Sequence, residues 1–132
     1  MALCSVNQNK MELQYAGANN SIYVVRNEEL IELKPDKMAI GGGHDEDKKK
    51  NFNNVVFPLI KGDSIYLFTD GFADQFGGQN GKKFKYKSFQ KLLIEVQHQT
   101  MQTQKQLLEK AFEDWKGNLE QTDDVLVIGY KV

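Results

Sequence analysis

Two short acidic stretches stand where strands are expected to end. Asp70 follows the strand-forming run Ser64–Thr69, and Asp123-Asp124 directly precede the apolar run Val125–Ile128. A carboxylate at a strand end is held on a rigid element and faces a sheet edge. If the two strands pair side by side, the carboxylates converge, and close like charges are costly unless a cation or a proton neutralises one. Hard oxygen donors of this kind suit Mg²⁺ or Mn²⁺, which keep bound water for chemistry. Gly71, beside Asp70, is expected to let the chain turn tightly there. Each signal alone reads better as turn punctuation, because Asp-Gly after a strand and Asp before one are both common.

Other chemistries find less support. Gly41-Gly42-Gly43 lacks the Gly-Lys-Ser/Thr ending and following helix of a phosphate-cradling P-loop. His44-Asp45 could form a metal dyad and Lys48, Lys49 and Lys50 an anion site, but a solvated charged loop explains both better. Hydrophobic strand followed by Asp-Gly is also the pattern of haloacid-dehalogenase-like phosphatases. Their nucleophile would fall at Phe68, which cannot attack phosphorus. No Gly-x-Ser-x-Gly elbow supports a Ser-His-Asp hydrolase. Cys4, the one cysteine, lies in the apolar stretch Ala2–Val6 and reads as a small buried residue.

Composition sets the surroundings. The net charge of -1 gives no reason to expect nucleic acid or an anionic membrane as partner. One cysteine permits no internal disulfide, which fits a reducing, cytoplasmic setting. No apolar run approaches the ~20 residues of a membrane span, and Met1-Ala2-Leu3 lacks the basic lead-in of a signal peptide.

The elements that must position the acids follow from periodicity. Ala2–Val6, Met11–Tyr15, Ile22–Val25 and Leu30–Leu33 read as a meander of antiparallel strands with turns at 7–9, 17–21 and 26–28. A loop spans Pro35 to about Asn54. Val55–Leu59 and Ser64–Thr69 are strands around the turn Lys61-Gly62-Asp63, and Phe76 to Gly81 is a glycine-rich loop. Two helices come next. Phe89, Leu92, Leu93 and Val96 stripe the first, with Ser88 as its expected cap. Leu107, Leu108, Ala111, Phe112 and Trp115 stripe the second, with Thr103 and Gln106 as a capping box and Gly117 as its stop. His98 falls in a polar, exposed tail. The expected fold class is α+β: a mostly antiparallel β-sheet with an antiparallel helix pair on one face.

In this setting Lys61–Asp74, with Gly62-Asp63 and Thr69-Asp70-Gly71, closely resembles the signature of SpoIIE-type phosphatases of the metal-dependent protein phosphatase (PPM) superfamily. Tyr15–Asn20 resembles that family's Ala-Gly-His-Asn turn, Leu33–Gly41 the stretch before its Gly-x-x-Leu-Gly turn, and Gln121–Val125 its C-terminal Asp-Asp motif. The resemblance runs over essentially the whole chain. It implies a partial PPM-type α-β-β-α sandwich and a metal site involving Asp70, Gly71, Asp123 and Asp124. Asp70 and Asp123 would be ligands and Asp124 a supporting neighbour, with Asp74 in a supporting role. It further implies a binuclear Mn²⁺ or Mg²⁺ centre whose activated water attacks phosphoserine or phosphothreonine.

The sequence also departs from that pattern. No Asp-Gly-His-Gly motif, whose aspartate bridges the two metals in the family, precedes the first strand. Ala18 replaces the histidine of the Ala-Gly-His-Asn turn, and Leu126 the terminal threonine. Residues 1–132 are therefore expected to be the C-terminal portion of a phosphatase domain, binding metal weakly and inactive in isolation. The alternative is a non-catalytic pseudophosphatase module that binds a phosphoprotein or a sensor domain. By resemblance, the substrate would be a phosphorylated regulatory protein such as an anti-sigma-factor antagonist, under control of an upstream sensor domain. Strands missing from one sheet would leave an edge or face uncovered, so homo-oligomerisation through that exposed sheet is expected.

Overall fold

A computed structural model describes residues 1–41 and 51–132. Gly42, Gly43, His44, Asp45 and the lysines at 48–50 lie outside the described residues. The strands are β1 (Ala2–Asn7), β2 (Glu12–Gly17), β3 (Ile22–Arg26), β4 (Glu29–Leu33), β5 (Val55–Pro58), β6 (Ser64–Phe68), β7 (Phe76–Gly77), β8 (Lys82–Lys83) and β9 (Val127–Lys131). The helices are α1 (Gly71–Asp74), α2 (Tyr86–Val96) and α3 (Met101–Lys116).

These strands divide between two antiparallel sheets, ordered β1-β2-β5 and β4-β3-β6-β9, with β7-β8 as a separate hairpin. The expected single meander is thus corrected: the chain changes sheet between β2 and β3. The turn that allows it is sealed by Tyr15, whose hydroxyl donates to the Asn20 carbonyl at 2.6 Å. The β3–β4 hairpin is tight, with Asn27 and Glu28 both at positive φ (50° and 66°), the geometry that matches strand twist.

Alternation then builds two cores on opposite faces of β3 and β6. Ile22, Val24 and Ile65 point toward the first sheet and pack with Leu13, Tyr15, Leu33 and Leu59. Tyr23, Val25, Tyr66 and Phe68 point the other way and pack with Phe72, Phe89, Leu93, Leu108 and Phe112. The result is helix pair, sheet, sheet, with helices on one face as the helical stripes require. Aromatic contacts dominate the helix-side core: ring centroids lie 4.5 Å apart for Tyr23–Phe68 and 4.7 Å for Phe72–Phe89. Each such pair adds about 0.5–1.5 kcal/mol beyond burial.

The helix starts differ from expectation. α2 begins at Tyr86, not after Ser88. Its cap position is Lys85, at φ 74° and ψ 147° with no side-chain cap bond. The Lys85 N–H is instead committed to the Ala73 carbonyl at 2.7 Å, and Tyr86 packs beside Phe68 at 6.5 Å. Tertiary contacts therefore decide the start. α3 is capped by Thr100, whose hydroxyl accepts from the Thr103 N–H at 3.2 Å. Leu107 is 40% exposed and leaves the core stripe to Leu108 and Phe112.

Candidate metal centre

Strand register carries the four motif segments to one end of the four-stranded sheet. Ile22 opens β3 opposite Leu33, which closes β4, and opposite Leu67 near the end of β6. Phe68, the last residue of β6, stands opposite Val127, the first of β9. The turn 17–21, the exit of β4, Thr69-Asp70-Gly71 and Asp123–Leu126 therefore all leave the sheet at the same end. The first two are also tied together: the Asp36 N–H donates to the Gly17 carbonyl and the Asn19 N–H to the Asp36 carbonyl, both at 2.9 Å.

Thr69 joins the two acidic stretches. Its hydroxyl donates to the Asp124 carbonyl at 2.8 Å and accepts from the Leu126 N–H at 2.9 Å. Its own N–H donates to the Leu126 carbonyl at 3.0 Å. A side chain thus stands in for ladder bonds across residues 124–126, and β9 begins at Val127, two residues later than the apolar run suggested. Gly71 completes the junction. It starts α1, and its role is close approach, not the unusual backbone conformation expected of it. A Cβ there would overlap the Asp124 carbonyl oxygen and stand 3.2 Å from Val125 Cγ2.

Gln75 holds the same segment from behind. It is fully buried. Its Nε2 donates to the Glu120 carbonyl at 2.9 Å, and its Oε1 accepts from the Thr122 N–H at 3.3 Å. The Trp115 indole N–H donates to the Gln75 carbonyl at 3.0 Å. Neither the Thr69 tether nor the Gln75 clamp was read from the sequence. Thr69 at least sits inside the Thr-Asp-Gly block; Gln75 carries no local signal.

The acids themselves are exposed: Asp70, Asp123 and Asp124 all face solvent. Asp123 Oδ1 accepts from the Asp124 N–H at 2.7 Å, which fixes the turn. Asp74 donates its N–H to the Asp70 carbonyl at 2.9 Å and pairs with Lys83 at 3.1 Å, so it closes α1. Tyr86 lies at the rim: burial first, then the charges of Asp70 and Asp74, push its hydroxyl pKa up. Exposed carboxylate oxygens on two adjoining strand ends are the donor type that Mg²⁺ and Mn²⁺ accept. The set is small, however. Among the described residues, no three His, Cys, Asp or Glu side chains cluster as a metal-holding group. The oxygen donors are of the right type, and the described residues form no complete site with them.

Comparison with known proteins supplies the context. The family model described as Stage II sporulation protein E (SpoIIE) matches residues 1–132. The SiaA-PP2C domain of Pseudomonas aeruginosa is 31% identical, with a TM-score of 0.90, over 99% of this chain and 50% of that one. The PP2C phosphatase domain of Bacillus subtilis SpoIIE, with a fragment of its regulatory domain, is 13% identical, with a TM-score of 0.76, over 99% and 37%. A structure of RsbX in complex with magnesium is 13% identical, with a TM-score of 0.60, over 97% and 53%. The chain therefore spans about half or less of the length of these three structures. No match was found among curated proteins.

Proposed function

Because this chain belongs to the SpoIIE family over its whole length, we propose that it supplies part of the divalent-metal centre of a serine/threonine protein phosphatase. The observation that carries the reading is the Thr69 tether, which binds the Asp70 strand end to the Asp123-Asp124 strand end through three hydrogen bonds. Asp70 and Asp123 would ligate the metal, and Asp124 and Gly71 would hold the geometry through the close approach of the Asp124 carbonyl. Bound Mn²⁺ or Mg²⁺ would supply a water of lowered pKa and neutralise charge on the transferring phosphoryl group. The chain's own residues contribute rigidity. Thr69 and Gln75 fix the two backbones, so that ligand carboxylates need little reordering when metal arrives.

The domain completing the centre would provide the bridging carboxylate, since the relatives compared are about twice this length or longer. On this reading the chain alone binds metal weakly and turns over little. Its substrate in the parent protein would be a phosphorylated regulatory protein, such as an anti-sigma-factor antagonist, in the cytoplasm and under a sensor domain's control.

The test is calorimetric titration with Mn²⁺ of the chain and of Asp70→Asn, together with hydrolysis of an aryl phosphate. Weak Mn²⁺ binding abolished by Asp70→Asn, with negligible turnover, is expected. Equal Mn²⁺ binding by both chains would sink the assignment of Asp70. Appreciable Mn²⁺-dependent turnover would sink the claim of inactivity in isolation.

A further inference from the structure

The lysines of this chain are not evenly spread. From Gln75 to Ile94 there is no Asp or Glu, yet Lys82, Lys83, Lys85, Lys87 and Lys91 all fall there, in a chain whose net charge is -1. A block of one sign raises a local field that attracts the opposite charge. Among the described residues, Lys83 pairs with Asp74 at 3.1 Å and Lys91 with Glu95 at 3.7 Å. Lys82, Lys85 and Lys87 are exposed and make no ion pair with any described residue.

Backbone contacts lay this segment against the acidic strand end. Phe84 N–H donates to the Gln75 carbonyl at 2.9 Å and Lys85 N–H to the Ala73 carbonyl at 2.7 Å. The segment therefore runs beside α1, which starts directly after Asp70. Phe84 anchors it, its ring 5.2 Å from Phe72 and 5.4 Å from Trp115, while the lysines on either side stay exposed. Lys85 is held at φ 74° and ψ 147°, a conformation open to glycine and strained for a side chain. A glycine would relieve that strain; the chain carries a cation instead.

We propose that Lys82, Lys85 and Lys87 form a docking strip for the acidic flank of a phosphorylated protein substrate. Carboxylates of that flank sit on the lysines, and the phosphorylated residue lies over Asp70 and Asp123. The proposal rests on the phosphatase reading for its phosphoryl end alone. α1 is one turn, about 5.4 Å, which an extended peptide covers in about two residues. The substrate's acidic residues therefore start about two positions from the phosphorylated one. A nucleic acid fits less well, because its evenly charged backbone must also pass Asp70, Asp74 and Asp123. Faces suited to burial against further protein are of another kind, with Leu126 and Ile128 52% and 49% exposed. Lysines are almost never buried unless paired, so the strip takes a partner that brings carboxylates.

Fluorescence anisotropy with two labelled phosphoserine peptides, one flanked by glutamates and one by glutamines, tests this with chelator present so that metal plays no part. The glutamate peptide is expected to bind about tenfold more tightly, and to weaken as salt is raised. Replacing Lys82, Lys85 and Lys87 together by Gln should lower its affinity about tenfold, roughly two- to threefold per exposed charge. Lys85→Gly removes the cation while relieving the backbone. It is expected to melt no lower than the wild type yet bind about twofold more weakly, a split that a structural role for Lys85 does not produce. Asp70→Asn should leave the affinity under chelator within about twofold, so failure of the metal assignment and failure of the strip read out separately. Equal affinity for both peptides, or a triple variant that binds like the wild type, overturns the proposal. So does an oligothymidylate of equal charge that binds as tightly and loses as much in the triple variant, because the strip is then a nucleic-acid surface.

Discussion

Replacing Gly71 by alanine sets two effects of opposite sign against each other. Gly71 opens α1, and its φ is not positive, so the backbone itself would welcome alanine. Helix propensity alone predicts a gain of about 0.5–1 kcal/mol. Against this, the new Cβ would overlap the Asp124 carbonyl oxygen and stand 3.0 Å from the Asp124 carbonyl carbon and 3.2 Å from Val125 Cγ2. Those first two atoms are backbone and cannot rotate away. Relieving such crowding costs about 1–3 kcal/mol. Moving the Asp124 carbonyl also weakens the 2.8 Å bond from Thr69, worth about 1 kcal/mol. The clash wins, and a net loss of about 1–3 kcal/mol is expected in urea denaturation. For a chain of this size, each kcal/mol lowers Tm by roughly 3–5 °C. Backbone amide shifts at 123–126 should move along with those at 69–71. An alanine variant as stable as the wild type, or more so, would refute the close approach and with it the joined strand ends.

Three further outcomes follow from other contacts. Thr69→Val keeps the shape but leaves the Asp124 carbonyl and the Leu126 N–H without their partner; a loss of about 1–3 kcal/mol is expected, with amide exchange at Leu126 rising more than at Tyr66. Arg26→Met strands Asp63, which is 1% exposed and held by the guanidinium at 2.8 and 2.7 Å. Because Arg26 itself is partly exposed and Asp63 keeps the Ile60 N–H at 2.9 Å, about 2–4 kcal/mol should be lost, readable by calorimetry. Burial, then the charges of Asp36 and Glu32, push the Tyr15 hydroxyl from 10.0 up to about 12. The fold holds this proton where the unfolded chain releases it, so stability is intact below pH 10 and falls between pH 10 and about 12. Tyr15→Phe should flatten part of that decline. Burial also raises Tyr23 and Tyr66, which share the rest.

How much the sequence could say depended on whether the cause was local. Asp70 and Asp123-Asp124 were legible as a joint feature because each abuts an apolar run, and strand ends that pair must converge. Met11–Tyr15 and Ile22–Val25 were legible as strands from their apolar patterning. Assignment of strands to sheets was not, since alternation says which residues are buried but not against which layer. The start of α2 eluded propensity because Ser88 has capping chemistry, while the deciding contacts, Lys85 to Ala73 and Tyr86 beside Phe68, join residues distant in sequence. Gln75 eluded it for the same reason: its partners Glu120 and Thr122 lie more than forty positions away. Gly71 was expected to serve a tight turn, whereas the structure shows a close approach of the Asp124 carbonyl that no local pattern announces.

On the proposed function, the ends of β6 and β9 would form one face of a divalent-metal site. Paramagnetic broadening by Mn²⁺ in ¹H–¹⁵N spectra tests it most directly. Amides of Asp70, Gly71, Asp123, Asp124 and Val125 should broaden first and together, and the effect should vanish in Asp70→Asn. Broadening centred on other acidic residues, or unchanged in that variant, would contradict it.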